Sequence, residues 1–431
     1  MNVIKRDGRV VLFNEDKIVN AIKQAMSRVE HTNDELPERI AKEIKNLNKE
    51  EYTVEEIQDM VEKKLMASSY KDVAKEYILY RNKRNSVRTY NSNFMKDITK
   101  KLKATDVQNQ NANVDEKSFG GRIGEASDVL MKQYALDYCV SDMARNNHLN
   151  NEIYIHDLSH YAIGDHNCLS IPFDDLLKNG FNTRQTDVRP ARSVNTAFQL
   201  LAVIFQLQSL QQFGGVSATH IDWTMVPYVK LSFIKHYLLA YIKQTEDFLS
   251  LDLLSLTNDE LEDWIDNHKT EYFKKMNLTE EEICISNKEN LNSFLYNSAL
   301  MDTIRETYQA VEGMYHNLNT LQSRSGNQLP FTSINYGTCT SPEGRMVTKA
   351  LLEVLQKGIG KLHRTSIFPC GIFQKMKGTN QKKGDPNYDL YRLALKTTAL
   401  RLYPNYANCD WSGNKGYDIN DPRTYVSTMG K

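Results

Sequence analysis

Val3-Ile4-Lys5-Arg6-Asp7-Gly8-Arg9-Val10-Val11-Leu12-Phe13 opens the chain with two short β-prone runs around an Asp-Gly pair. Asp-Gly between such runs is a strong local hairpin signal, because glycine accepts the positive φ that a tight turn requires. Beyond it, Asn14 or Glu15 opens a helix whose apolar residues Ile18, Ala21, Ile22, Ala25 and Met26 recur at helical spacing. Pro37 starts a second helix. Thr53 with Glu56 has the capping-box pattern ahead of Ile57, Met60, Val61 and Leu65, and a last helix runs through Val73, Ala74, Tyr77, Ile78 and Tyr80. The expected first domain, residues 1–92, is therefore a β-hairpin plus four helices.

From about Val87 to Val114 the sequence is polar and rich in Asn, Lys and Gln, which reads as a linker and entry segment. The second domain, residues 93–431, has helical patterns over 126–147, 193–213, 226–249 and 291–321. Strands are expected over 331–336 and 366–373, alternating with helices over 343–359 and 388–402. Such alternation is the pattern of a parallel α/β architecture. The charged stretch 252–290 reads as a surface helical insertion.

Composition narrows the function. Lys plus Arg (54) equals Asp plus Glu (54) over 431 residues, so no basic excess marks nucleic acid as the main partner. The apolar run 200–205 is far short of the ~20 residues of a membrane helix, and no basic-then-apolar leader opens the chain. A cytoplasmic protein is expected. Cys139, Cys168, Cys284, Cys339, Cys370 and Cys409 are scattered with no CxxC pair, which disfavours a disulfide framework and a four-thiolate zinc site in this chain. No metal site is expected.

The ordered set Lys5-Arg6-Asp7-Gly8-Arg9, Phe13 to Ile18 with Ala21-Ile22, Thr53 to Asp59, and Tyr77 to Arg81 resembles the ATP-cone, a regulatory adenine-nucleotide domain. The resemblance implies ATP and dATP as allosteric effectors, with Lys5 and Arg6 closing over the triphosphate and Lys17, Thr53 and Lys83 approaching from the helices. Cations and a helix-start hydroxyl are what phosphate oxygens need. Thr53 serves equally well as an ordinary N-cap, and Lys83 as a solvated cation.

The remainder resembles the N-terminal part of anaerobic, class III ribonucleoside-triphosphate reductase. The resemblance rests on Asn111 to Asp115, Gly124 to Ser127, Ile153 to Leu158, Asn167-Cys168, Gln212 to Gly215, Pro330 to Ser333, Gly384 to Asp389 and the terminal Ser427-Thr428-Met429-Gly430. It implies an α/β fold forming the first half of a ten-stranded glycyl-radical-type barrel. The implied reaction converts ribonucleoside triphosphates to 2′-deoxyribonucleoside triphosphates by glycyl and thiyl radical chemistry, in a homodimer activated by a radical S-adenosylmethionine activase. Cys168 matches the hydrogen-donating catalytic cysteine. His156, Asp157 and Asn167 are expected near the substrate, and Cys339, just past a strand, in the same pocket.

Family members continue Met-Gly with the radical cysteine, where this sequence has Lys431. The radical cysteine, the radical glycine and the zinc site are expected only in a missing C-terminal part, encoded downstream of an interrupted gene. Inactivity of this chain alone follows, as a fragment or one part of a split enzyme. The alternative is a non-enzymatic ATP/dATP-binding regulatory remnant.

Overall fold

The computed structural model describes residues 2–6, 8–31, 35–47, 49–103, 117–164, 166, 168–212, 214–245, 255–323, 328–411 and 416–425, without the side chains of 88–93 and 258–259. The chain divides into two compact units, Met1–Lys100 and Lys101–Lys431.

In the first unit, strands β1 (Asn2–Ile4) and β2 (Val10–Leu12) pair antiparallel across the turn, and Gly8 takes φ +80° there. Helices α1 (Glu15–Arg28) and α2 (Glu35–Lys45) follow, then β3 (Glu51–Thr53), α3 (Val54–Ala67) and α4 (Lys71–Lys103). The core combines the apolar faces read from the sequence, Ile18 and Ile22 from α1, Val61 and Leu65 from α3 and Val73 and Tyr77 from α4, with Ile40 and Ile44 of α2. Two expectations need correction. A third strand exists, since β3 pairs parallel with β1, aligning Thr53 with Ile4. Three residues ending at a helix cap are too short to show a strand period. The expected linker also fails to begin at Val87, because α4 continues unbroken to Lys103, which puts a boundary at residue 92 inside a helix. The segment has little Gly or Pro to stop it.

The second unit is built on β4 (Leu169–Ser170), β7 (Val216–Ala218), β8 (Thr332–Tyr336), β9 (Cys370–Lys375) and β10 (Asn405–Asn408), with β5 (Phe181–Asn182) and β6 (Asp187–Val188) forming a separate antiparallel pair. The five strands run parallel in the order β10-β9-β8-β7-β4. Every residue of β8 and all but the last of β9 are buried, as expected where a parallel sheet is covered on both faces. Ser217 and Ser333, aligned on β7 and β8, exchange a 2.8 Å hydrogen bond inside that core. The helix Ser293–Thr320 packs against Val194–Ser209 and Val226–Gln244, and Pro342–Lys357 packs against Tyr388–Arg401. The expected surface insertion is helical over Asn258–Met276, but its Ile265, Tyr272 and Phe273 join the main core. Its charge masked one apolar stripe.

Ile44→Ala tests the independence of the units. Ile44 is fully buried in α2, so truncation should cost ~2–5 kcal/mol in the first unit. Hydrogen exchange should report faster opening of the α1, α2 and α3 amides and unchanged protection in β8 and β9; equal loss in both would show one cooperative body.

Candidate functional site

Packing in the first unit leaves a cavity of about 160 Å³ between the hairpin and α1, α3 and α4. Its walls are apolar, from Val3, Val11, Ile18, Ile57 and Val61, with Lys5, Lys17, Asn14, Gln58 and Tyr77 as the polar-bearing members. Drug-sized ligands need pockets of ~300–1,000 Å³, so this volume suits a ring system with its charged extension at the mouth. Among the sequence-predicted residues, only Lys5 and Lys17 line the cavity. Arg6 instead pairs with Glu55 at 2.5 Å and donates to Gln58 at 3.1 Å. Thr53 is held in a capping box with Glu56: its Oγ1 accepts from the Glu56 N–H at 3.2 Å, and the Thr53 N–H donates to the carboxylate at 2.7 Å. Lys83 is exposed on α4, six residues past Tyr77 and so about 120° around the helix from it. Asn14, Gln58 and Tyr77 lie within the strings that resemble the ATP-cone but were not expected to touch a ligand. Their helical spacing marked them only as cap, surface and core.

In the second unit, chemistry-bearing side chains gather past the C-terminal ends of the parallel strands, where open α/β sheets place their ligands. Asp222 is fully buried and its Oδ2 accepts from the N–H groups of Gly337 and Cys339, both at 2.9 Å. Asn387 donates to the carbonyls of Gly337 (3.1 Å) and Cys339 (2.8 Å), and Asn380 to that of Gly337 (3.0 Å). The loop after β8 is thus fixed from three sides. Burial pushes the Asp222 carboxyl above its ordinary range, against the opposing pull of the two backbone donors. Thr338 Oγ1, in the same loop, accepts from Trp223 Nε1 at 2.9 Å and from the Tyr425 hydroxyl at 3.2 Å.

Beside this loop lies a cleft of about 740 Å³ lined by Asp174, Lys178, His220, Trp223, Tyr228 and Arg423 among others. Asp174 accepts from His220 (2.8 Å) and Thr224 (2.6 Å). Burial raises the Asp174 carboxyl, but those hydrogen bonds and the positive charge of Arg423 outweigh it and hold it below its usual range.

The other predicted residues are dispersed. Cys168 is half-buried immediately before β4, at the N-terminal edge of the sheet. Cys339 lies past the C-terminal end of β8, at the opposite edge, so the two thiols are not brought together. Cys339 is 1 % exposed, sits 3.4 Å from Ser341 Oγ and is not among the residues lining the cleft. Burial, reinforced by the Asp222 charge, pushes its thiol up to about 12. His156 is exposed and its Nδ1 pairs with Asp157 at 2.7 Å. Asn167 lies outside the described residues, as do residues 111–115 and the terminal Ser427 to Gly430 string. Among the described residues there is no cluster of three metal-ligating side chains, and no helix is long and apolar enough to cross a membrane.

Residues 110–430 match the family described as anaerobic ribonucleoside-triphosphate reductase. The chain belongs to this family. Residues 1–86 match the ATP cone domain. The anaerobic ribonucleoside-triphosphate reductase of Haemophilus influenzae is 30% identical over 415 residues, covering 95% of this chain and 52% of that protein. The Escherichia coli reductase is 28% identical over 414 residues, covering 95% of this chain and 51% of its own length. This reductase-family chain thus spans about half the length of those relatives. A crystal structure of the anaerobic ribonucleotide reductase from Thermotoga maritima in complex with dATP and CTP aligns over 69% of this chain and 44% of that one, with a TM-score of 0.42 and 14% identity.

Asp222 gives the site a measurable signature. Its folded pKa lies above the unfolded ~3.9, so the folded reductase chain keeps the proton over the intervening window. Stability is therefore full below that window and declines as pH rises through it. Asp222→Asn keeps a carbonyl acceptor without the charge, and urea unfolding at stepped pH should show the decline flattened. Asp222→Ala should cost ~1–3 kcal/mol for each N–H left unsatisfied. Identical pH slopes for wild type and Asp222→Asn would mean the carboxyl titrates normally.

Proposed function

We propose that this chain supplies the adenine-nucleotide regulatory domain and the first part of the catalytic domain of an anaerobic ribonucleoside-triphosphate reductase, acting on cytoplasmic nucleotides. The observation that carries the reading is the match of 110–430 to the reductase family on a five-stranded parallel sheet whose first strand starts directly after Cys168. That sheet is read as one half of a ten-stranded barrel. The complete enzyme is read as a homodimer activated by a radical S-adenosylmethionine activase.

In the first unit, the cavity takes the adenine of ATP or dATP and Lys5 and Lys17 meet the phosphates at its mouth. Each charge-assisted contact contributes ~1.5–3 kcal/mol before desolvation and ordering costs. A thiyl radical takes the ribose 3′ hydrogen as an atom, and the 2′ hydroxyl leaves as water with the 3′ hydroxyl proton, giving a 3′-keto sugar radical. Cys168 then acts as hydrogen-atom donor: its S–H bond breaks and a C–H bond forms at C2′; an external two-electron reductant returns a hydrogen atom to Cys168 and an electron with a proton to the 3′ carbonyl, and the first thiol gives the 3′ hydrogen back, regenerating its thiyl. A serine O–H bond is too strong for that transfer.

Two measurements test this. Equilibrium dialysis on this chain should detect ATP and dATP binding, weakened at least about tenfold by Lys5→Ala with Lys17→Ala, which is ~1.4 kcal/mol. Anaerobic assay of the assembled enzyme with its activase and S-adenosylmethionine should find deoxynucleotide formation abolished by Cys168→Ser with effector binding intact. Turnover in that variant would reduce Cys168 to a packing residue.

A further inference from the structure

An ion-pair network adjoins the first unit's cavity through Gln58, and the nucleotide reading leaves it unexplained. Arg6, on the hairpin turn, gives its Nε to Glu55 Oε1 at 2.5 Å and its Nη2 to Gln58 Oε1 at 3.1 Å. Gln58 is itself a cavity wall. The second oxygen of Glu55 is taken by Arg81 Nη2 at 2.7 Å, and Arg81 Nη1 also reaches Asp59 at 2.6 Å and Glu62 at 3.0 Å. The guanidinium of Arg81 is the inner member, its side chain 14 % exposed against 37 % for Arg6. Glu55 thus bridges Arg6, which is bound to the cavity-wall residue Gln58, and Arg81 on α4, the helix that continues to Lys103.

We propose that Glu55 is a built-in competitor for the phosphates: it holds Arg6 in the absence of ligand, and a triphosphate displaces it, leaving Glu55 wholly on Arg81. The inference rests on the reading of this cavity as the adenine-nucleotide site. The charge balance favours the exchange. Arg6 and Arg81 face three carboxylates, Glu55, Asp59 and Glu62, so Arg81 keeps anionic partners when Arg6 leaves. The outer pair is solvated, and exposed pairs are worth little, so the competition is weak enough for a polyanion to win. A ligand with no phosphate has nothing to offer Arg6 and leaves the bridge closed. Glu55 therefore sets phosphate dependence, and Arg81 passes the liganded state into α4.

The test is calorimetric titration of the full chain with ATP and with adenosine, for wild type, Glu55→Gln, Arg6→Ala and the double variant. Glu55→Gln should bind ATP about two- to fivefold more tightly, the reach of an exposed ion pair, with adenosine affinity unchanged. The gain should vanish in the Arg6→Ala background. Hydrogen exchange on wild type should show slowed amides around Arg81 on adding ATP and no change on adding adenosine. An unchanged or weaker ATP affinity in Glu55→Gln overturns the proposal, as does an equal gain for adenosine or a gain that persists without Arg6. Should Glu55→Gln disturb the fold, seen as lost α3 protection, Glu55→Asp serves in its place, because its shorter side chain loosens the Arg6 contact while keeping the charge. If wild type binds no ATP at millimolar concentration, the nucleotide reading itself falls and takes the proposal with it; ATP binding with no Glu55 effect removes the proposal alone.

Discussion

The second unit depends on one buried carboxylate. Asp222 comes from the segment after β7, yet its two accepted hydrogen bonds are to the backbone that follows β8. The loop it fixes presents Thr338, which collects the indole of Trp223 and the hydroxyl of Tyr425. Gly337 makes the close approach possible: at φ +119° it has no Cβ, where one would stand 2.9 Å from the ring of Phe373. A buried charge without a cation is costly unless hydrogen-bonded or neutralised, and here both remedies act. The polar network therefore specifies a loop geometry instead of merely adding stability.

The first unit solves a different problem with different means. Its core is largely aliphatic, while Lys5 and Lys17 line a small cavity and Arg6 pairs with Glu55 next to the cavity-wall residue Gln58. Exposed ion pairs such as Arg6–Glu55 contribute little to folding, so their placement is informative about ligands and not about the fold. Lys5 and Lys17 line the same cavity. The hairpin supplies one cation to the cavity and one to the α3–α4 network from adjacent positions, because consecutive residues leave a turn in different directions.

What was legible in the sequence follows from period and length. Helices with sustained apolar spacing, such as α1, Ser293–Thr320 and Pro342–Lys357, fall within a few residues of their expected bounds. Strands β8 and β9 were visible as β-branched and aromatic runs, whereas β3, β4 and β7 span two or three residues and carry no period at all. The α4 continuation was hidden by its polar surface, since a helix needs little apolar content where it packs little. Of the candidate site, Lys5 and Lys17 were named in the sequence through the ATP-cone resemblance, and both line the cavity. Asp222 was not, because an aspartate two residues past a histidine in Thr219-His220-Ile221-Asp222 looks like any solvated turn until the fold folds another strand end onto it.

The cysteines differ in environment. Cys339, Cys370 and Cys409 are buried, and burial raises each of their thiols, so each stays protonated and closed to reagents. Such thiols serve as small apolar side chains. A thiolate nucleophile would need a nearby cation, yet the neighbours of Cys339 and Cys409 include Asp222 and Asp410, whose charges push the wrong way. Hydrogen-atom donation asks for something else: an intact S–H bond, partial access, and a rigid strand behind it. Cys168 combines half-burial with a position directly ahead of β4, whose Leu169 N–H is bound to the Gly215 carbonyl at 2.9 Å. The sheet thus holds the backbone next to this half-buried thiol in place, the position from which the proposed donation would occur.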